Sequence, residues 1–464
     1  MSAVVTSTPL PGPSGRYGVR NLARFVRGPL PWLRGLATEH GDIVRLKMFG
    51  SCWFLVSHPD DIERILVKDA RVMKRDAGIA IVRRVLGNGL LTSEGDLWKR
   101  QRKLMSQAFT PKRIAEYATA MVRVGDVALE RWRDGGEINL HQEMSQLTMV
   151  VVADVLFGAS MDAADVEAVS RAMEVVNEFF SGSPEAMLQV PKWVPTPRNL
   201  GMNRAVASLD RVVYDIIAKR REGLGDSHEP VPRDYSRGLA RSDLLGTLLA
   251  ARDDDDAGMS DVQLRDEVMT LFLAGHETTS LTLAHALYLL SLNPAIEQRL
   301  HDETTKALGD RLPTAEDARS LSFAEWVLKE TMRLYPPAWS VGRETVDPYE
   351  LRGHAIPVGS QLVASQWIVH RDARWYPDPE RFDPERWSPE RAKDIPRYAY
   401  FPFGGGPRVC IGNHFAMMEA TLLLAMIVKR FRVELLPGER LELAPAVTLR
   451  QKGEGLRART LARN

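Results

Sequence analysis

Apolar residues recur every three to four positions over most of the chain, which is the spacing of helices that bury one face. The clearest case begins after Ser260, where Gln263 follows at the spacing of a capping box. Asn293-Pro294 ends this pattern. At a rise of about 1.5 Å per residue, roughly 32 residues would extend about 48 Å. The pattern predicts one helix long enough to cross a whole domain.

Short strands and a second helix are predicted outside this long helix. Two partly alternating apolar runs, Ile43–Phe49 and Trp53–Val56, predict a β-hairpin. Short β-like runs return between Glu344 and Gln366. The second helix is expected to begin at Ser322 and to end before Pro336.

The domain organisation follows from composition along the chain. Residues 1–35 are rich in Pro, Gly and Arg and are predicted to form an irregular N-terminal lead-in. No repeat of fixed period and no linker divides the remainder. We therefore expect a single domain over 36–464, mainly α with small antiparallel β-sheets.

Composition and charge narrow the function classes. The 464 residues are 44% hydrophobic, which is enough to bury a large core. Lys and Arg number 61 against 60 Asp and Glu, a net charge of +1. Because a nucleic-acid binder usually carries a basic excess, no nucleic-acid partner is expected.

Two cysteines, the N-terminus and one apolar stretch indicate where in the cell the protein is expected. Cys52 and Cys410 lie far apart, so a disulfide framework is excluded and a cytoplasmic location is expected. The N-terminus has neither the basic region nor the apolar region of a signal peptide. The apolar stretch from Val268 to Leu292 carries Glu277 near its middle, and a charge inside a bilayer is costly. We expect a buried helix there and no membrane anchor.

The glycine-rich segment Phe403–Gly412 surrounds Cys410. Its glycines allow tight bends that direct backbone N–H groups towards the sulfur, and such donors stabilise a thiolate. A thiolate with one open position opposite suits haem iron better than zinc, since no second cysteine is near. The alternative is a buried cysteine in a glycine turn.

This segment resembles the cysteine-ligand loop of the cytochrome P-450 family, Phe-x-x-Gly-x-Arg-x-Cys-x-Gly, at every fixed position. With the further motifs below, the resemblance extends from about residue 35 to the C-terminus. It implies the cytochrome P-450 fold, with the long central helix crossing the domain over the haem. It also implies that Cys410 is the axial ligand of haem b iron and that Phe403 belongs to the haem-binding loop.

The long helix carries a second motif, Ala274-Gly275-His276-Glu277-Thr278-Thr279. It resembles the family's oxygen-activation segment, in which Glu277 and Thr278 form an acid–alcohol pair and Ala274 leaves room for a diatomic ligand. The alternative is a polar interruption of a core helix, with the threonine hydroxyls bonded to carbonyls one turn back.

Two further sets of residues are assigned by the resemblance alone. Glu330-x-x-Arg333, together with an arginine in a later Pro-rich segment, Arg386, would brace the cysteine loop. The haem propionates would be bound by four residues: Trp98, Arg102, Arg343 and Arg408. Arginine suits that role because its guanidinium matches a carboxylate with two hydrogen bonds.

The resemblance also nominates substrate contacts, namely Leu91, Phe272 and Ala338, within largely apolar segments that include Val447–Leu449. Apolar side chains at these places indicate a lipophilic small molecule. Fatty acids, terpenoids or steroids, and macrolide-like compounds all remain open. Core packing would give the same residue types.

The implied reaction is a monooxygenation that inserts one atom of O2 into the substrate by hydroxylation or epoxidation. No flavin or nicotinamide fingerprint is present, so electrons would come from a separate ferredoxin or flavodoxin with its NAD(P)H-dependent reductase. Lysines such as Lys99 and Lys103 would form a basic dock, or merely a solvated face. The rival interpretations are a haem-thiolate enzyme that uses peroxide directly and a haem sensor or carrier without turnover.

Overall fold

The computed structural model describes residues 10–13, 18–48, 51–181, 185, 190–224, 243–250, 258–453 and 455–463. The chain divides into two compact units. Unit 1 comprises Met1–Val82 and Met332–Cys410, and unit 2 comprises Arg83–Thr331 and Ile411–Asn464. The described chain is mainly helical with small sheets, as predicted. The single domain over 36–464 stays a prediction.

Helices supply most of the described structure. Their bounds are α1 Val19–Arg27, α2 Pro29–His40, α3 Pro59–Glu63, α4 Ala77–Leu86, α5 Gly95–Ser106, α6 Pro111–Leu129, α7 Leu140–Phe157, α8 Ala163–Phe180, α9 Pro197–Leu224, α10 Leu244–Ala250, α11 Asp261–Leu292, α12 Pro294–Leu308, α13 Asp317–Ser320, α14 Ser322–Leu334, α15 Gln366–Val369, α16 Pro389–Ala392 and α17 Asn413–Arg430. Among the described residues, none of these helices is both long and apolar enough to span a membrane.

The strands are short. They are β1 Ile43–Met48, β2 Ser51–Val56, β3 Met73–Arg75, β4 Glu137–Asn139, β5 Val341–Thr345, β6 Tyr349–Leu351, β7 His354–Ile356, β8 Gln361–Ala364, β9 Phe431–Leu435, β10 Leu443–Pro445, β11 Leu449–Gln451 and β12 Arg457–Ala462.

Unit 1 is organised around a five-stranded sheet in the order β1-β2-β8-β5-β3. The antiparallel pairing of β1 with β2 confirms the predicted hairpin. One pair departs from the predicted antiparallel pattern, because β2 and β8 run parallel. About 300 residues separate these two strands, so no tight turn fixes their direction. Apolar side chains of the sheet, such as Phe54 and Leu362, pack with Ile62 and Leu66 in one buried cluster.

The N-terminal lead-in is helical where the sequence predicts irregular structure. Helices α1 and α2 occupy 19–27 and 29–40, so the prediction is wrong over that part of 1–35. Pro29 does not break α2, because it stands in the first turn, where its missing N–H is not needed. Leu30, Leu33 and Leu36 then recur at helical spacing and are all buried. Residues 1–9 and 14–17 lie outside the described residues.

Unit 2 is built on the long helix α11, whose 32 residues confirm the predicted bounds. The Ser260 side chain accepts a hydrogen bond from the Gln263 N–H at 3.2 Å, as the capping pattern requires. The second predicted helix is present as α14, which runs from Ser322 to Leu334. Unit 2 also holds the three-stranded sheet β4-β12-β9 and the two-stranded sheet β10-β11.

A buried guanidinium ties together the loops of unit 1. Arg333 is fully buried. It donates to the carbonyl oxygens of His370 at 2.8 Å, Pro379 at 2.6 Å and Arg381 at 3.1 Å. A buried charge is tolerated only when it is well hydrogen-bonded, and these carbonyls need donors of their own. The side chain therefore cross-links residues 370–381 to the end of α14.

We expect Arg333→Ala to lower the free energy of unfolding by about 3 kcal/mol or more, because three carbonyls, that of the buried His370 among them, lose their donor. Urea unfolding followed by circular dichroism measures the change. The control is Arg24→Ala in α1, where the side chain is exposed and the expected change is within about 0.5 kcal/mol. Equal stability of the two variants would contradict the cross-linking role of Arg333.

Candidate functional site

The cysteine loop of unit 1 is closed by its own backbone. The Cys410 N–H donates to the Phe403 carbonyl at 3.0 Å, and the Val409 N–H donates to the Gly406 carbonyl at 3.1 Å. Both bonds close the loop on itself, and the N–H groups that the sequence predicts to point at the sulfur stay a prediction. The Cys410 side chain is exposed. A rigid loop thus presents an accessible thiol.

Glycine is required at one point of this loop. Gly406 has a left-handed φ of +66°, and a Cβ there would lie 1.9 Å from the Leu66 carbonyl oxygen. The backbone of the loop can pack against the backbone at Leu66 only because residue 406 has no side chain. Arg408 follows in the same 3₁₀ turn and is half-buried.

The approach to the loop is fixed by His370. Its Nε2 accepts the Phe401 N–H at 3.0 Å, and the Phe401 carbonyl accepts the Gly404 N–H at 2.9 Å. Complete burial, together with the nearby charges of Arg333 and Arg371, holds the pKa of His370 well below its usual range, so the ring is neutral and able to accept. A hydrogen-bonded path therefore runs from the bracing arginine to the cysteine loop.

Two further residues assigned to the brace are buried. Arg386 is buried and donates to the Asp378 carbonyl at 2.8 Å, beside the segment that Arg333 holds. Glu330 is fully buried one turn before Arg333 on α14. The structural role assigned to Glu330 stays a prediction.

The register of the unit 1 sheet reveals one cation that the local sequence pattern does not. Arg75 of β3 stands directly opposite Arg343 of β5. Arg343 is buried and donates to the Gly342 carbonyl at 2.8 Å. An arginine guanidinium matches a carboxylate with two hydrogen bonds, so this pair is suited to binding a carboxylate. No local pattern distinguishes Arg75, because its position depends on pairing with a strand about 270 residues away.

Trp98 and Arg102 lie one turn apart on α5 in unit 2, as their spacing predicts. Both side chains are half-buried. A half-buried arginine beside an indole N–H offers two kinds of donor to one carboxylate. The assignment of both residues to haem propionates stays a prediction.

Helix α11 leaves one short strip uncovered within unit 2. Between Leu264 and Leu287 every residue is buried except Ala274, Gly275 and Thr278. Ala274 is exposed, and the other two are half-buried. The Thr278 hydroxyl donates to the Ala274 carbonyl at 2.8 Å, as the alternative interpretation of this motif predicts. The strip also offers small residues and one hydroxyl on a single accessible face.

Glu277 is held by three side chains that no sequence motif singles out. Its Oε1 accepts from Thr448 Oγ1 at 2.9 Å and from Asn177 Nδ2 at 3.3 Å, and Arg450 Nε lies 3.6 Å away. Thr448 falls in a segment predicted to face substrate. These partners come from α8 and from the β10–β11 region, so only tertiary structure brings them to the acid. Their donors fix the orientation of a buried carboxyl group.

A second buried acid lies on α17. Glu419 is fully buried, and burial raises its pKa well above the usual range. Burial therefore favours the neutral form of this carboxyl group over the charged form. In sequence it is a single polar residue in an apolar helix, which does not distinguish it from a surface position.

The three nominated substrate contacts differ in exposure. Ala338 is exposed in unit 1, and Leu91 is half-buried in unit 2. Phe272 is fully buried, with its ring centroid 6.2 Å from that of Phe157. It lies about 200° around α11 from Ala274, at 100° per residue. The nomination of Phe272 is therefore corrected to a core residue, because its side chain packs on the opposite side of the helix.

The donor set fits a haem. Among the described residues, no three His, Cys, Asp or Glu side chains converge on a metal position. An exposed thiol on a rigid loop would supply one iron ligand, as in haem-thiolate proteins. Arg75, which is half-buried, and Arg343, which is buried, would supply cations of the kind that porphyrin carboxylates need.

Comparisons with known proteins agree with this fit. The family model for cytochrome P450 matches residues 11–454. The chain is 37% identical to cyclooctatin synthase of Streptomyces melanosporofaciens over 429 residues, which cover 92% of this chain and 90% of that protein. It is 35% identical to cyclooctat-9-en-7-ol 5-monooxygenase of the same organism over 413 residues, or 89% and 86% of the two chains. Pentalenene oxygenase of Streptomyces avermitilis is 33% identical over 417 residues, or 89% of each chain.

These matches cover nearly the whole chain, and the resemblance carried by the cysteine loop is confirmed. The chain belongs to the cytochrome P450 family, the haem-thiolate monooxygenases that use O2 and electrons from a redox partner to oxidise lipophilic compounds.

Proposed function

We propose that this chain binds haem b through the Cys410 thiolate and oxygenates a terpenoid. The observation that carries the proposal is the exposed thiol on a loop whose shape is fixed by its own backbone and by glycine. Phe403 flanks the ligand in that loop. Five residues are assigned to the propionates: Trp98, Arg102, Arg343, Arg408 and, from the strand register, Arg75.

Residues of unit 2 would manage protons. When bound, the haem supplies the oxidation chemistry, and the protein supplies position, protons and exclusion of water. Thr278 has a hydroxyl whose proton is held by the Ala274 carbonyl, which leaves its oxygen free to accept from a water. Glu277 would pass protons towards that hydroxyl as the acid of the pair, with its orientation fixed by Thr448 and Asn177.

Two observations support a terpenoid among the lipophilic classes. Relatives over most of the chain are named for cyclooctat-9-en-7-ol and pentalenene. The accessible strip at Ala274 and Thr278 is built of small residues. Small side chains leave room for a bulky hydrocarbon substrate. The side chains of Leu91 and Ala338 would add apolar contact.

The electron donor is proposed to be a ferredoxin or flavodoxin, served by an NAD(P)H-dependent reductase, in the cytoplasm. Helix α5 presents Lys99 and Lys103 on exposed positions. Lys99 forms an exposed ion pair with Asp96 at 2.9 Å, which is weak in water. These cations would steer an acidic partner to this helix.

We expect Cys410→Ala to abolish the red-shifted Soret band of the reduced carbon monoxide complex, because the thiolate is the source of that shift. Absorption spectra of reduced protein with carbon monoxide provide the measurement. Cys52→Ala is the matched control, since the chain has two cysteines, and should keep the band. A band that survives Cys410→Ala would contradict the assignment of Cys410 as the iron ligand.

We expect Thr278→Ala to lower the ratio of product formed to O2 consumed severalfold, because the hydroxyl proposed to accept a hydrogen bond from water on the proton path is lost. O2 consumption itself should continue. The control is Thr282→Ala, one turn along α11, whose hydroxyl donates to the Thr278 carbonyl at 2.9 Å. Unchanged coupling in Thr278→Ala would argue strongly against a proton-relay role and in favour of the peroxide-using alternative.

We expect Lys103→Glu to slow reduction by an acidic ferredoxin about tenfold at low salt, with the difference shrinking as salt screens the charge. Stopped-flow reduction rates across a salt series measure the effect. Lys306→Glu, at an exposed position of α12, makes the same charge change as a control. If both variants respond alike, α5 is a solvated face rather than a dock.

A further inference from the structure

The polypeptide between α4 and α5, the Gly87–Ser93 segment, is bound to α11 by the carboxyl groups of two neighbouring residues. The Asn88 N–H donates to Asp266 Oδ2 at 2.7 Å. The Leu90 N–H donates to Glu267 Oε2 at 2.8 Å. Two consecutive acids of one helix thus hold alternate amides of an irregular segment.

Helix α5 holds the same segment from its other end. Gln101, which is fully buried, donates through Nε2 to the Asn88 carbonyl at 2.8 Å and accepts the Ser93 hydroxyl through Oε1. Within the segment, Thr92 Oγ1 donates to the Gly87 carbonyl at 2.6 Å. The backbone is therefore satisfied by side chains on both sides, in a region without helix or sheet.

Two glycines allow this close approach to α11. A Cβ at Gly89 would lie 2.1 Å from Thr270 Oγ1 and 2.4 Å from the Asp266 carbonyl oxygen. Gly87 has a left-handed φ of +57°, and a Cβ there would lie 2.1 Å from Asp266 Oδ1. The segment rests directly on the helix backbone, so its path is set within narrow limits.

Burial of the Glu267 carboxyl group costs folding free energy. Glu267 is fully buried, and burial together with the charge of Asp266 raises its pKa to about 8, opposed by the Leu90 N–H. An apolar residue would avoid this cost but would leave the Leu90 N–H unpaired. A carboxyl group at this position therefore serves the conformation of the segment rather than the stability of the helix.

We propose that Asp266 and Glu267 are positioning residues that hold Leu91 in one place against the substrate and so determine which lipophilic compounds bind. The inference rests on the proposed function, because the substrate contact of Leu91 is itself proposed. Leu90 and Thr92 on either side are buried and hydrogen-bonded, whereas Leu91 is only half-buried. The segment therefore leaves the Leu91 side chain available.

The test compares affinities for a panel of cyclic terpenoids and fatty acids in the haem-loaded enzyme, read from the spin-state change on binding. Glu267→Met removes the acceptor at similar length, and we expect about tenfold weaker binding of the preferred compound and a changed order of affinities. Glu267→Gln keeps an acceptor oxygen and should keep the order. Glu297→Met replaces another buried acid of unit 2 and should leave the order unchanged.

Hydrogen exchange separates this inference from the proposed function, because it needs no substrate. Peptides covering 87–93 should exchange faster in Glu267→Met than in wild type. If Glu267→Met does not fold, Glu267→Asp, whose shorter side chain withdraws the acceptor, takes its place in both measurements. Unchanged exchange, or an unchanged order of affinities with the carbon monoxide band intact, overturns the positioning role. An unchanged order in Leu91→Ala overturns it too, by removing the substrate role of the segment.

Discussion

Presentation of the Cys410 thiol depends on the buried guanidinium of Arg333. This guanidinium fixes the His370 carbonyl, and the same histidine accepts the N–H of Phe401 at the entry to the cysteine loop. From there the loop closes on itself, ending with the Cys410 N–H on the Phe403 carbonyl. The contact with His370 satisfies a backbone N–H from outside the loop, and the last contact satisfies backbone groups within it. The thiol is therefore exposed without being mobile, which a metal ligand requires.

Helix α11 of unit 2 combines burial with polar side chains. Nearly all of its length from Leu264 to Leu287 is buried, yet it carries acids and hydroxyls that burial disfavours. Three of them have defined partners: Glu267 accepts a backbone N–H, Glu277 is held by Thr448 and Asn177, and the Thr278 hydroxyl is bonded one turn back. Such contacts hold these side chains in one orientation.

Local signals in the sequence predict those parts of the fold and site that depend on neighbouring residues. The capping pattern at Ser260 predicts the start of α11, and the glycine spacing around Cys410 indicates the ligand loop. Glu277 and Thr278 are likewise proposed from adjacent positions in one helix.

The features that the local sequence does not reveal depend on contacts between distant residues. Arg75 can be assigned to the site only from its strand register with Arg343, and Thr448 only from its hydrogen bond to Glu277. The parallel pairing of β2 with β8 is equally non-local. The prediction for Phe272 is wrong for the same reason, since helical spacing predicts which residues share a face but not which face meets the core.

The central claim is that a cysteine sulfur of this chain binds the iron, and X-ray absorption at the iron edge of the haem-loaded wild-type protein tests it most directly. One sulfur scatterer in the first shell, beside the porphyrin nitrogens, is the predicted result. A first shell made only of nitrogen and oxygen would contradict the claim, whatever the enzyme's activity.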